Sequence, residues 1–181
     1  MRSSQLFTAE GVVLKRKSVG EADRILTIFT KEIGKVRVLA KGIRKIHSRR
    51  SAHLETFRRI RFSYTNASPI GYLTEVESIG DSQFEIVNLR SVTGAYYISE
   101  LVDAFLPEKL ENEEVYALLL RAISSLQSDK RDVVIAEFPR LLLVILGYYP
   151  KGEVPAEKVD QIIEGLIEKR LKTPRFFTRM V

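Results

Sequence analysis

The apolar residues of this chain change period once, near residues 80–83, from two to between three and four. A period of two belongs to strands with one buried face and a period near 3.6 to helices, so the change divides the chain into a β part and an α part. In the first part Arg58–Tyr64 alternates Ile60, Phe62 and Tyr64 against Arg59, Arg61 and Ser63. Lys35–Ala40 sets Val36, Val38 and Ala40 against Arg37 and Leu39. Gly11–Lys17 is short, β-branched and basic, and Asp23–Thr30 carries ILTIFT, apolar on both faces. Ile70–Ile79 reads as a fifth strand with Tyr72 and Val76 inward. Gly20, Gly34, Asn66 and Gly71 mark the connections. Five strands with short turns and one longer connection after the third suit a small closed barrel, and the OB-fold has that strand number.

Beyond the change, Gln83–Phe105 puts Val87, Tyr96, Ile98, Val102 and Phe105 on a broad apolar face. Glu113–Gln127 spaces Val115, Leu118, Leu119, Ala122 and Leu126 as an amphipathic helix. Asp132–Gly147 is apolar almost all round and is expected to be the buried central helix, with a kink or break at Pro139. Gly147 is placed to cap it, Pro150 blocks continuation, and a last helix is expected over Ala156–Arg170. The expected class is α+β: an N-terminal five-stranded OB-fold β-barrel over residues 1–80, followed by an all-α helical domain over 81–181.

The charges follow the same division. Residues 1–64 hold 16 Lys or Arg and 5 Asp or Glu, whereas residues 65–181 hold 13 and 18. A basic half of this kind is suited to a polyanion. Between Glu32 and Glu55 stand seven cations and no acid, five of them in KGIRKIHSRRS, Lys41 to Ser51. Surfaces normally mix signs, so the gap exceeds what composition gives. Binding a nucleic acid requires cations spaced to follow phosphates, whose condensed counterions are then released. Lys35, Arg37 and Lys41 on one strand, Arg44, Lys45, Arg49 and Arg50 in the loop, and Arg59 and Arg61 on the next strand are the candidates for one positive face. Aromatic platforms for stacked bases would come from Phe29, Phe57, Phe62, Tyr64 or Tyr72, most of them at inward positions. Phosphate contact is therefore better supported than base contact, and low sequence specificity is expected.

Enzyme chemistry finds few footholds. With no cysteine there is no disulfide, thiol nucleophile or thiolate metal site, and only His47 and His53 could offer imidazole. Neither a Gly-x-Gly-x-x-Gly nor a Walker pattern is present, so no cofactor is expected. Glu21, Asp23 and Arg24 share a strand-entry turn, where an ion pair ordering the turn is the simpler role than acid–base catalysis. The closing RFFTRM, Arg175 to Met180, joins aromatics to cations and would dock on the helical half or receive an acidic-hydrophobic peptide. No apolar run reaches the length of a bilayer span and no secretory leader is evident, which makes a cytoplasmic, nucleoid-associated protein the expectation. Asn66-Ala67-Ser68 matches the glycosylation pattern by chance in that setting.

Glu10 to Lys45, EGVVLKRKSVGEADRILTIFTKEIGKVRVLAKGIRK, resembles the N-terminal domain of the bacterial recombination mediator family RecO. The matching features are the Glu10–Leu14 strand, the Gly20–Arg24 turn, the Phe29–Lys35 hairpin and the Ala40–Arg44 segment. Phe138–Pro150 and the closing Leu-Lys-Thr-Pro-Arg-Phe-Phe are weaker similarities in the helical half. The resemblance implies an OB-fold and a helical domain that bind single- and double-stranded DNA and anneal complementary strands without enzymatic turnover. It further implies partnership with RecR, contact with the acidic-hydrophobic C-terminal tail of single-stranded DNA-binding protein, and help in loading RecA. By position the DNA-facing cations would be Arg24, Lys35, Arg37, Lys41, Arg44 and Lys45, extended by Arg49 and Arg50. Many relatives continue after the Leu-Gly-Tyr-x-Pro stretch into a zinc-binding cysteine cluster. Here Tyr149-Pro150 leads through Lys151–Pro155 to the last helix, with no thiolate for zinc. Two other readings remain open at this level: an adaptor whose basic face meets an acidic protein, and an OB-fold that binds RNA.

Overall fold

A computed structural model describes residues 5–44, 50–65, 70–80 and 89–173. Two compact units divide the chain. One holds residues 1–83 with Pro107–Asn112, the other 84–106 with 113–181. Among the described residues no helix is long and apolar enough to cross a membrane.

The first unit is a closed OB-type barrel with strands β1 (Leu6–Val19), β2 (Asp23–Thr30), β3 (Gly34–Ala40), β4 (Arg59–Thr65) and β5 (Gly71–Ser78). They follow the order β1-β2-β3-β5-β4 and close back on β1. All pairings are antiparallel except β3 with β5. β1 is long enough to serve two neighbours, its first half pairing with β4 and its second half with β2. Inside lie Val13, Leu26, Ile28, Val36, Val38, Ile60, Phe62 and Leu73, all buried. The expected alternation in β3 and β4 is present: Val36, Val38 and Ala40 are inside while Arg37 is exposed, and Ile60 and Phe62 are inside while Arg61 is exposed. β2, expected to be apolar on both faces, is buried on both from Leu26 to Thr30.

Two bulges change which residues face out. In β1 the register steps from Val13 opposite Ile28 to Lys15 opposite Thr27, so Leu14 is the extra residue. In β5, Leu73 opposes Tyr64 and Glu75 opposes Ser63, leaving Thr74 extra. A bulge inserts one residue and reverses the parity of the strand beyond it. Tyr72 and Val76 therefore do not share a face: Val76 packs against the core, whereas Tyr72 is 40% exposed. The expected inward Tyr72 is corrected on that ground.

The segment Pro107–Asn112 belongs with the barrel. Glu108 bridges to Lys35 as a parallel rung, and Lys109 N donates to Lys35 O at 2.9 Å. Gly34 makes this approach possible. Its φ is +78°, and a Cβ there would stand 2.0 Å from the Leu110 carbonyl oxygen.

The helical unit contains α1 (Leu89–Phe105), α2 (Glu113–Ser125), α3 (Arg131–Ile145) and α4 (Val159–Leu166). The last is shorter than expected, because residues 156–158 form a 3-10 turn and the helix ends at Leu166. α3 runs through Pro139 without a break, and it is not the buried centre: Val133 and Leu141 are exposed. That place belongs to α1, in which Ser91, Gly94, Ala95 and Ser99 are buried beside Tyr97, Ile98, Leu101 and Val102. Small residues let a neighbour approach closely, and a Cβ on Gly94 would lie 2.6 Å from Ile135 Cδ1. The Tyr97 hydroxyl meets the Asp160 carboxylate at 2.5 Å, tying α1 to α4. Burial first, then this bond, pushes the Tyr97 phenol well above its ordinary range. Glu100 accepts from the backbone N–H groups of Lys172 and Thr173 and from the Thr173 hydroxyl, which fastens the chain after α4. Gly147, at φ +78°, ends α3 as expected, with Tyr148 N donating to Leu143 O at 2.9 Å.

Candidate nucleic-acid interface

Side chains on directly paired residues of neighbouring strands share a face, about 5 Å apart. The register therefore defines rows across the outside of the barrel. One row runs Lys15, Thr27, Arg37 over β1, β2 and β3. The next runs Lys17, Ile25, Leu39, Tyr72 and reaches β5. Ile25 and Leu39 are half-buried, while Lys15, Lys17 and Tyr72 are exposed. A third row, Phe29 with Lys35, is buried. An apolar strip flanked by cations is what remains open on the outer face of β1, β2, β3 and the start of β5.

The rim of this face is laced together by the β3–β4 loop. Asp23 does not pair with Arg24 among the described residues; its carboxylate accepts the Gly42 N–H at 2.7 Å. Arg44 N donates to Ala22 O at 2.9 Å, and the Arg44 guanidinium donates to Gly20 O at 3.2 Å. Arg50 donates to Lys41 O at 3.2 Å and to Thr74 O at 3.4 Å, joining the loop to β5. The Lys41 ammonium stands 4.5 Å from the centroid of the Tyr72 ring.

The candidate cations fall into distinct environments. Lys41 and Arg44 are exposed, and Arg50 and Arg24 are half-exposed; among the described residues none of the four pairs with a carboxylate. Arg24 is in phase with Leu26 and Ile28, which enter the core, so it stands at the barrel mouth and not in the outer rows. Arg37 is in the Lys15 row but pairs with Glu108 at 2.5 Å. Lys35 is only 8% exposed, because the Glu108–Lys109 rung lies along β3 at that point. Arg59 and Arg61 sit on β4, where Glu10 of β1 takes both guanidinium groups at 3.1 and 2.7 Å. Glu77 of β5 takes Arg61 again at 3.1 Å. The Arg61 hydrogen bond leads in holding the Glu10 carboxyl below the ordinary carboxylate range; desolvation opposes it and Arg59 assists. Acidic residues on both neighbouring strands thus divide the Arg59–Arg61 pair from the Lys41–Arg50 rim. Lys45 and Arg49, with His47, lie outside the described residues, as do Asn66–Ser68, Val87 and Arg175–Met180.

Lys15 and Lys17 are additions to the sequence-derived set. Their signal was present as LKRK, but simple alternation from Val13 would send both inward, and only the bulge at Leu14 turns them out. Of the five aromatic candidates, Phe29, Phe57, Phe62 and Tyr64 are at most 7% exposed, and Tyr72 alone is open.

In the helical unit, a groove of about 330 Å³ opens between α2 and α3, lined by Leu118, Ala122, Val133, Phe138 and Leu141 with Arg121 at its edge. Among the described residues there is no group of three or more His, Asp or Glu able to hold a metal ion. The chain has no cysteine, so it does not fit a thiolate zinc centre.

A closed OB barrel with a basic rim that meets no carboxylate among the described residues, followed by an all-helical unit, defines the class. The sequence comparisons define the family within it. Residues 1–81 match the family model described as recombination protein O N terminal, and residues 87–157 match recombination protein O C terminal. The chain belongs to the recombination protein O family, RecO. It is 30% identical over 148 residues to DNA repair protein RecO of Roseiflexus sp. (strain RS-1), covering 81% of this chain and 52% of that protein. Against the Bacillus subtilis protein of the same name the identity is 31% over 147 residues, 81% of this chain and 58% of the relative. For Caldicellulosiruptor bescii the figures are 34% over 149 residues, 80% and 60%. The chain thus spans between half and three-fifths of the length of these relatives.

Proposed function

We propose that this chain acts in DNA repair and homologous recombination as a non-enzymatic DNA-binding mediator. Its barrel takes the backbone of single- and double-stranded DNA, so that complementary strands approach with their phosphate repulsion screened. The observation that carries this reading is the rim of Lys41, Arg44 and Arg50, cations without a carboxylate partner among the described residues, beside the outer rows bearing Lys15 and Lys17. Arg24 at the mouth extends the contact surface, and Lys45 and Arg49, outside the described residues, are assigned to DNA from the sequence alone. Arg37 contributes once a phosphate replaces Glu108, whereas Lys35, Arg59 and Arg61 contribute least, being buried or held by carboxylates. The division of labour follows the sequence boundary, with residues 1–80 meeting DNA and 81–181 organising partners.

The partners in this reading are RecR, single-stranded DNA-binding protein and, through them, RecA. The α2–α3 groove supports the second of these: it is mostly apolar, open and edged by the exposed Arg121, and its one acid, Glu137, is paired with Arg140, which suits an acidic-hydrophobic tail.

The experiment is strand annealing with bare complementary strands and with strands coated by single-stranded DNA-binding protein, alongside binding at low salt. Annealing of both is the expected result. Annealing of bare strands alone removes the tail from the reading. Absence of DNA binding at low salt overturns it altogether, and saturable capture of an acidic protein in that case marks an adaptor. Preference for RNA over DNA of matched sequence reassigns the barrel to RNA.

A further inference from the structure

We propose that Tyr72 is a base-stacking residue, the element that lets this barrel hold a single strand by its bases as well as its phosphates. The inference rests on the DNA-binding reading above and specifies how the same face works. Tyr72 is the one exposed aromatic among the five barrel candidates. It is placed outward by the bulge at Thr74, since unbroken alternation would have put Tyr72 and Val76 on one side. Its neighbours along the row are Leu39 and Ile25, both half-buried, with Lys17 at the far end. The apolar part of that row, from Ile25 to Tyr72, is about 10 Å long from strand to strand, enough for a base to lie on it.

The ring is also prepared for a base. Among the described residues no other ring pairs with Tyr72, while the Lys41 ammonium stands over it at 4.5 Å. The ammonium covers one ring face, so a base takes the opposite face or displaces the ammonium onto its own phosphate, which joins the phosphate and base contacts in one place. Arg50 holds the arrangement still, with Lys41 O and Thr74 O on its guanidinium. Two of its five N–H donors are used there, and others remain for a phosphate oxygen. Bases in a duplex are stacked on one another and cannot occupy the ring, so the contact discriminates in favour of single strands.

The chain contains no tryptophan, so Tyr72→Trp places a unique indole fluorophore at the site. The titrants are a short oligothymidine, an abasic strand of equal length with the same phosphates, and a duplex. Oligothymidine is expected to quench the indole emission of that variant, and the abasic strand to leave it nearly unchanged. Tyr72→Ala is expected to weaken oligothymidine binding about 5- to 150-fold, the range of one lost base stack. Tyr72→Phe should remain within about twofold of the parent, as should duplex binding by Tyr72→Ala. Each variant is melted alongside the parent, and the Tyr72→Trp and Tyr72→Phe variants carry the test should Tyr72→Ala fold poorly. Unquenched emission from a variant that binds oligothymidine, or equal preference of the parent for abasic and base-bearing strands, overturns the stacking role and leaves phosphate binding intact. Failure of the parent to bind any of the three overturns the underlying reading instead.

Discussion

The basic rim and the β4 arginines give a matched comparison, because each can lose two positive charges while the total charge of the protein falls equally. Lys41→Gln with Arg44→Gln removes two cations that have no carboxylate partner among the described residues. Arg59→Gln with Arg61→Gln removes two that already bond Glu10 at 3.1 and 2.7 Å. For a single strand, log K falls with log salt by about 0.7 per phosphate neutralised. Each phosphate contact takes a free cation, so the rim pair should lower the magnitude of the slope by about 1.4. The β4 pair must first surrender Glu10, and Arg61 also Glu77, so its effect on the slope should stay below about 0.3. A slope change of about 1.4 has a visible consequence between about 50 and 200 mM salt, where the rim variant's defect should shrink about sevenfold. Fluorescence anisotropy with a labelled oligothymidine across that range measures both slopes, and melting curves confirm that each variant is folded. Equal slope changes for the two pairs, or a larger one for β4, would refute the sorting of cations by their acidic neighbours.

The same logic makes Glu10→Gln a gain-of-binding change, since it releases Arg59 and leaves Arg61 with Glu77 alone; the salt slope should steepen by about 0.7, the share of one freed cation. It should also cost about 1 kcal/mol of stability at pH 7. The Glu10 carboxyl is held below its ordinary value in the folded state, so its contribution is present above the unfolded carboxylate range and is lost as pH falls through the lowered value. The melting curves of parent and variant should therefore converge in acid, below about pH 4.5, and a constant gap would contradict the assignment. Gly34→Ala places a Cβ 2.0 Å from Leu110 O at a φ of +78°, so the Pro107–Asn112 segment must shift or the turn must strain. A loss of about 2 kcal/mol or more is expected, with faster hydrogen exchange at the Lys109 amide that now bonds Lys35 O.

Most of the fold was legible because most strands and helices announce themselves in the apolar pattern, Val36–Ala40 by strict alternation and Asp23–Thr30 as a short run apolar on both faces. The reading failed where the period itself is broken. A bulge leaves no mark in composition, since Leu14 and Thr74 are ordinary strand residues; only the pairing register reveals them. Those two insertions decide that Lys15, Lys17 and Tyr72 face outward, so the features missed from the sequence are concentrated in the face proposed to bind DNA. The second failure is of a different kind. Arg59 and Arg61 do stand on the outer side of β4, yet charge counted along a strand says nothing of the acids on its neighbours. Glu10 is some fifty residues earlier and Glu77 sixteen later, and only barrel closure sets them on either side of β4.

Buried Lys35 gives the third case. Its position matches the family's Phe-Thr-x-x-x-Gly-Lys hairpin, and from the strand pattern it belongs with Arg37 and Lys41. The structure covers it with Glu108 and Lys109, a segment that follows α1 in the sequence and that no local reading of the barrel could foresee. Gly34 in that hairpin then has a second reason to be glycine: beyond the turn, it admits the Leu110 backbone. A motif that looks like a charge beside a turn is, in this chain, a docking place for a connecting segment. The same segment supplies the Glu108 that occupies Arg37. Covering Lys35 and engaging Arg37 at one end of β3 leaves the other end, where Lys41, Arg50 and Tyr72 converge, as the open part of the face. That asymmetry is why the rim, and not the middle of the strand, should dominate both the salt slope and the stacking of bases.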